Sequence, residues 1–152
     1  GTGGSGETKR VPSKIFIEVM KNTQKKRKCK FFIATGNARE EIKILDQIIN
    51  SDLKEFCVPL NNLNIKEIIP IIKNCNVAIC NDSSFSHLSA ALNIPTIVLM
   101  TDTPLVYGSY SSHMHPILPE GKSTVSHDTL GKDKINPSEI QKKLDEILLG
   151  VS

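Results

Sequence analysis

The sequence predicts an α/β domain in which a parallel sheet is flanked by helices. Three observations point there. Short apolar runs alternate with longer segments of helical periodicity along the chain. Apolar runs at 77–80 and 94–100 bracket Asn81-Asp82-Ser83-Ser84-Phe85-Ser86-His87, so this stretch reads as strand, short polar loop, helix and strand. The length, 152 residues with 39% hydrophobic, fits one domain over 1–152 with a fair core, aliphatic because there is no Trp and only 5% aromatic residues.

Composition narrows the function classes. Charged residues at 23% argue against disorder. A net charge of +3 suits an anionic small molecule. No basic strip studded with aromatic residues is present, which argues against nucleic acid. No apolar run reaches membrane-spanning length, and no secretory leader is visible. The chain opens on Gly rather than Met, which suggests a fragment, a processed product or a tagged chain. The four cysteines form no C-x-x-C pair and lie in or beside apolar stretches, which fits free thiols in a reducing, cytoplasmic compartment and not a zinc site.

Taken in order, residues 1–8 are glycine-rich, either a flexible linker from cloning or a native loop following an upstream strand, the latter favoured. Ser13 is positioned to cap a helix over 14–26, with Ile15, Val19 and Met20 on one face. The Lys/Arg run at 24–30 reads as a solvated helix end suited to the helix dipole, with attraction to a membrane surface as a second reading. Residues 29–34 read as a buried strand, 35–37 as a turn, and 38–50 as a helix with Ile42, Leu45, Ile48 and Ile49 facing inward. Residues 55–58 form a short strand, Asn64 caps a helix over 65–74, and Pro70 predicts a kink or break in it. In the 83–92 helix, Ser83 or Ser84 serves as cap, and Phe85, Leu88 and Leu92 share one face. Residues 105–131 read as a long irregular loop, either functional or packing against a partner domain. His113 and His115 could face one way and approach a metal, but no third ligand is evident. Asn136-Pro137-Ser138-Glu139 starts a last helix, which Gly150 ends.

The stretch 81–96 resembles the heptosyltransferase-type glycosyltransferases (glycosyltransferase family 9), at Asn81, Asp82, Ser83, His87, Leu88, Ala90, Ala91, Leu92, Pro95 and Thr96. It departs at Ser84 and Asn93, where that signature has Gly, and at Ser89. Lys9 and Pro12 match the family's Lys-x-Trp-Pro opening, with Val11 in place of Trp. Thr103 and Pro104 match a further loop. The resemblance implies a Rossmann-like sheet, the C-terminal half of a GT-B glycosyltransferase, which binds a nucleotide-diphosphate-sugar donor and needs no bound metal or cofactor. It implies donor and phosphate contacts from Thr8, Lys9, Asp82, Ser83, Ser84, Phe85, Ser86, His87 and Thr103. An acidic residue is expected at the ribose; Glu40 is preferred, with Glu41 as rival because the register is soft. No residue here is a credible catalytic base, so the base is expected in an N-terminal GT-B half, and the fragment alone is expected to be inactive.

From the residues themselves, free amides at a helix start beside a lysine make a diphosphate site at the carboxyl ends of the strands. Asp82 would repel that anion, so loop orientation or sugar hydroxyls suit it better. The full-length protein is expected to act in lipopolysaccharide or surface-glycan synthesis, in the cytoplasm, with peripheral contact at the inner membrane as an added possibility. Two other readings stand beside it: a non-catalytic α/β interaction module, and half of a nucleotide-sugar epimerase.

Overall fold

A computed structural model describes residues 1–150. The chain enters through a loop that ends in a 3-10 turn at Glu7–Lys9. Helix α1 (Ser13–Lys26) follows, then β1 (Phe31–Ile33), α2 (Arg39–Ile49), β2 (Cys57–Pro59), α3 (Ile65–Lys73), β3 (Ala78–Asn81), α4 (Ser84–Ala91), β4 (Thr96–Leu99), β5 (Met114–Ile117) and α5 (Pro137–Leu148). All strand pairings are parallel: β1 with β2 in one sheet, and β3-β4-β5 in order in another. Helices cover the faces, as the alternation of elements predicts.

Several local expectations change. The cap of α1 is Pro12, whose extended φ of −56° and ψ of 142° already lead into the helix. Ser13 lies inside the first turn, and its hydroxyl donates to Gln47 Oε1 at 2.6 Å instead of capping. β1 is shorter than 29–34 and is not a buried strand throughout: Phe32 is 41% exposed, because β1 has a strand neighbour on one side only. α3 runs through Pro70 without a break. Pro70 sits on the exposed side, where water can satisfy the Lys66 carbonyl that loses its partner. Asn64 does cap α3: its side chain accepts from the Glu67 amide at 3.1 Å, and Glu67 Oε2 accepts from the Asn64 amide at 2.8 Å.

The main correction lies in 105–131. This stretch is not a long irregular loop; it contains a 3-10 turn at Leu105–Gly108 and the strand β5. β5 reads Met-His-Pro-Ile, with no β-branched run to announce it. Pro116 is tolerated because β5 is an edge strand, and a missing N–H on the outer side costs no ladder bond. The α4–β4 connection also explains a departure from the family signature. Asn93 has φ 62°, the left-handed region that Asn tolerates better than other side-chain-bearing residues.

One core joins α1, α2 and α5 to the sheet face carrying Ile33, Ile97 and Leu99. A second, on the opposite face, gathers Ala34, Leu60, Ile68, Ile72 and Ile94 under α3 and α4. A third, around Val98, Met100 and Met114, lies beneath α4 and Val125. All four cysteines are free thiols. Burial pushes the thiols of Cys29, Cys57 and Cys75 above their ordinary pKa, which disfavours the reactive thiolate. The Lys/Arg run is more engaged than a purely solvated end: Lys26 and Arg27 both pair with Asp145 at 2.8 Å, and Lys30 Nζ donates to the Glu55 carbonyl at 2.9 Å. No described helix is long and apolar enough to cross a membrane.

Candidate functional site

Parallel pairing puts the carboxyl ends of all strands on one rim. The loop before α1, the β1–α2 turn, the β3–α4 turn and the segment after β4 meet there. Asn81, the last residue of β3 and 0% exposed, ties this rim together. Its Nδ2 donates to the carbonyls of Thr2 at 3.0 Å and Gly3 at 3.2 Å, and its Oδ1 accepts from the Val11 amide at 3.3 Å. Arg10 adds a bond to the Gly4 carbonyl at 3.0 Å. The glycine-rich opening is thus a fixed part of the rim, held at both ends.

Asp82 is the centre of the charged cluster. It is 6% exposed; its Oδ2 accepts from Thr103 Oγ1 at 2.6 Å and lies 3.8 Å from Lys9 Nζ. Its Oδ1 lies 3.7 Å from His87 Nε2. On its other side, His87 Nδ1 is 2.7 Å from the Tyr110 hydroxyl, and the two rings stack with centroids 5.6 Å apart and 12° between planes. Lys9, from the opening loop, thus meets the residues around the start of α4, the juxtaposition on which the sequence reading depended.

Ser83 stands at the N-cap of α4, one of the two serines expected there, but its hydroxyl does not make the capping bond. Ser86, fully buried, reaches back: its hydroxyl accepts from the Ser83 amide at 3.4 Å and donates to the Ser83 carbonyl at 2.7 Å. Ser86 therefore holds the turn from inside, with its hydroxyl hydrogen engaged by the Ser83 carbonyl. Neither Ser83 nor Ser84 caps with its side chain, and Ser83 Oγ is a buried oxygen with no hydrogen-bond partner. The first amides of α4, at Ser84 and Phe85, have no intrahelical acceptor.

Beside this helix start lies a cleft of about 330 Å³, lined by Gly3, Gly4, Ser5, Gly36, Glu41, Ser83, Ser84 and Phe85. Glu41 forms one wall. Its Oε1 accepts from the Gly4 amide at 2.9 Å and its Oε2 from the Ala38 amide at 3.3 Å. A Cβ on Gly3 would stand 2.6 Å from Glu41 Oε1, so glycine there makes room for the carboxylate. Glu40, the preferred ribose residue of the sequence reading, is exposed and is not part of this cleft; its rival Glu41 is. One residue along a helix is a rotation of about 100°, and that separates the two.

The remaining candidates sort by geometry. Thr103 is buried with its hydroxyl hydrogen engaged by Asp82, so it positions that carboxylate and is not free to donate to a phosphate. Thr8 is held through its carbonyl, which accepts from Thr101 Oγ1 at 2.8 Å. Ser84 and Phe85 reach the cleft, and Lys9, Asp82 and His87 form the cluster next to it. Sequence reasoning missed Tyr110, which sits in the stretch read as irregular, and gave Asn81 no role. Among the described residues no group of three or more His, Cys, Asp or Glu is arranged to hold a metal ion.

Fold and rim together define an α/β domain of parallel strands with its polar site outside the strands' carboxyl ends. Residues 2–128 match glycosyltransferase family 9 (heptosyltransferase), and the chain belongs to that family. It is 37% identical over 75 residues to lipooligosaccharide heptosyltransferase 2 of Haemophilus influenzae, covering 47% of this chain and 22% of that protein. It is 27% identical over 119 residues to lipopolysaccharide heptosyltransferase 1 of Campylobacter coli, covering 75% of this chain and 34% of that protein. Among solved structures, E. coli heptosyltransferase WaaC with ADP aligns at TM-score 0.74 and 14% identity, over 95% of this chain and 42% of that one. The E. coli ADP-heptose lps heptosyltransferase II aligns at TM-score 0.75 and 20% identity, over 95% and 44%. The chain therefore spans a fifth to a third of these curated relatives and under half of these solved structures. The structural likeness supports the expected GT-B type of α/β fold.

Proposed function

We propose that this chain is the donor-binding, C-terminal half of a heptosyltransferase-like glycosyltransferase, and that its donor is an ADP-sugar. The observation that carries the reading is the meeting of Lys9, Asp82 and the start of α4 beside the cleft walled by Glu41. A diphosphate laid on the amides of Ser84 and Phe85 gains the positive end of the helix and the Lys9 ammonium. Asp82, already held by Thr103, steers Lys9 and His87 and does not touch the anion. The same donors would stabilise the nucleoside diphosphate as it leaves, which is where charge develops when the glycosidic bond breaks. Glu41, with acceptor lone pairs left beyond its two amide bonds, suits the cis-diol of a ribose. The adenine base is suggested by WaaC, which was solved with ADP and with ADP-2-deoxy-2-fluoro heptose.

The general base for the acceptor belongs to an N-terminal half of the same protein, and the full-length enzyme works in lipopolysaccharide or related glycan synthesis. Exposed Lys25 and Lys28 leave room for a peripheral contact with anionic lipid. Calorimetric titration of this chain with ADP, GDP and UDP tests the reading. Saturable heat with ADP is expected, and Lys9→Ala should weaken it about tenfold, the effect of removing one charge-assisted contact of about 1.4 kcal/mol. No saturable heat with any of the three would favour an interaction module instead.

A further inference from the structure

Three consecutive residues after β4 each hold a different part of the rim. Thr101, 1% exposed, donates its hydroxyl to the Thr8 carbonyl at 2.8 Å. Thr103 donates to Asp82 at 2.6 Å. Asp102, between them, holds a segment distant in sequence: its Oδ1 accepts from the Leu130 amide at 2.7 Å. The next amide, that of Gly131, donates to the Thr101 carbonyl at 2.9 Å. Residues 126–131 thus lie as a strap against the end of this segment. Just past the strap, Lys132 Nζ reaches Glu7 Oε1 at 3.3 Å. Glu7 and Thr8 belong to the 3-10 turn that ends in Lys9. The contacts close a circuit from Thr8 to Thr101, on to the strap, and back through Lys132 to Glu7.

The strap needs an outside hold. Asp128 has φ 73° and Leu130 has φ 50°, left-handed conformations that are costly for residues with side chains, most of all for one as bulky as leucine. Burial does not offset this at Leu130, which is 61% exposed. Polar bonds do. Inside the strap the Ser126 amide donates to Thr129 Oγ1 at 3.0 Å, and from outside comes the Asp102 carboxylate, a charged and therefore stronger acceptor. The Leu130 amide in turn holds the Asp102 carboxyl below its ordinary pKa, against the opposing effect of partial burial and with a smaller contribution from the Thr8 hydroxyl. Gly131 is pressed so close to Pro119 that a Cβ there would collide with the proline ring. Relaxing Leu130 to negative φ would swing the chain just before Gly131 and pull its amide off Thr101.

We propose that Asp102 is a positioning residue for Lys9: by seating the strap it fixes the turn at 7–9, and so holds the Lys9 ammonium where the donor's diphosphate is laid. This rests on the donor reading above and deepens it. Lys9 Nζ lies 3.8 Å from Asp82 Oδ2, longer than a hydrogen bond, so Asp82 attracts the ammonium without fixing its direction. Direction comes from the backbone of the turn, whose own bonds run from the Lys9 amide to the Gly6 carbonyl at 3.1 Å and from the Arg10 amide to the Glu7 carbonyl at 3.2 Å. After the turn, Arg10 and Val11 are tied to Gly4 and Asn81. The turn itself is tied through Thr101 and Lys132. Glu7 is 81% exposed at its side chain, so its pair with Lys132 is weak, and Thr101, whose carbonyl the strap holds, carries the larger share. Asp102 acts through these neighbours, since its own charge would repel a phosphate.

The test uses the whole chain, unmodified and as Asp102→Ala, Asp102→Asn, Lys9→Ala and the double variant with alanine at both positions. Amide exchange is read without nucleotide at Lys9, Arg10 and Gly131, with Thr96–Leu99 as the reference, and ADP affinity is read by calorimetry. Asp102→Ala is expected to speed exchange at Lys9, Arg10 and Gly131 about tenfold and to leave β4 unchanged. ADP affinity should fall about threefold, less than on removing Lys9 itself, and by under about 1.5-fold when residue 9 is already alanine. Asp102→Asn keeps a carbonyl oxygen for the Leu130 amide and should recover most of both effects. Unchanged exchange at Lys9 and Arg10, an equal rise in β4, or an undiminished loss of ADP affinity in the Lys9→Ala background would each overturn the proposal. No ADP heat from the unmodified chain would sink the donor reading, and the exchange measurement would still decide whether Asp102 fixes the Lys9 turn.

Discussion

β4 and β1 are both short apolar strands in parallel sheets, and they are buried very differently. All four residues of β4 are buried, with Ile97, Val98 and Leu99 at 0% exposure. In β1 only Ile33 is buried, Phe32 is 41% exposed, and Val58 on its partner β2 is 37% exposed. Residue type does not explain this, since Phe-Phe-Ile is at least as apolar as Thr-Ile-Val-Leu. Neighbours do. β4 has a strand on each side and helices on both faces, whereas β1 has a strand on one side only. Burial belongs to a position in the sheet, and a sequence run only qualifies for it.

The largest effect that would sharpen this contrast is a truncation in each strand. Leu99→Ala should cost about 2–5 kcal/mol in urea unfolding, the range for a fully buried large-to-small change. Phe32→Ala should cost markedly less, under about 2 kcal/mol, because part of that ring remains in contact with solvent. Equal costs would mean that the halves are equally consolidated. Next comes the link between them. Asn81→Ala strands the Val11 amide and removes the donor to the Thr2 and Gly3 carbonyls, with an expected loss of about 1–3 kcal/mol. Exchange of the opening-loop amides should rise more than that of β4.

The smallest effect concerns the tie between α1 and α5. Lys26 and Arg27 hold the Asp145 carboxyl down to about 2, from an ordinary value of 3.8. A carboxylate with a depressed pKa contributes stability that is complete above the unfolded value and fades as pH falls through the folded one. The loss should therefore fall between about pH 4 and pH 2. Asp145→Asn should flatten that part of the acid limb, at a cost near neutrality of under about 1 kcal/mol, as for other partly exposed pairs.

Much of the layout was legible because two signals agreed. Helical periodicity marked the five long helices, and capping residues marked the starts of α3 and α5. β5 was not legible: His115 and Pro116 hide a strand whose claim to the sheet is its bonding to β4. On the rim, the Lys9–Asp82 meeting followed from the family resemblance, which put the opening loop and the turn after β3 at one site. The choice between Glu40 and Glu41 did not, because nothing local fixes the phase of a helix start to one residue. The bonding of Ser86 to Ser83 was not legible for a related reason. A serine at the third helical position can face a ligand or turn back to its own cap, and only three-dimensional crowding decides.

The stacking of His87 on Tyr110 gives the molecule a built-in optical probe. The chain contains no tryptophan and two tyrosines, so ultraviolet emission comes from a pair of phenols, one of them already in contact with an imidazole at the rim. Any event that parts those rings should change the signal without a label, a dye or an added chromophore, while Tyr107 supplies a nearby reference within the same chain.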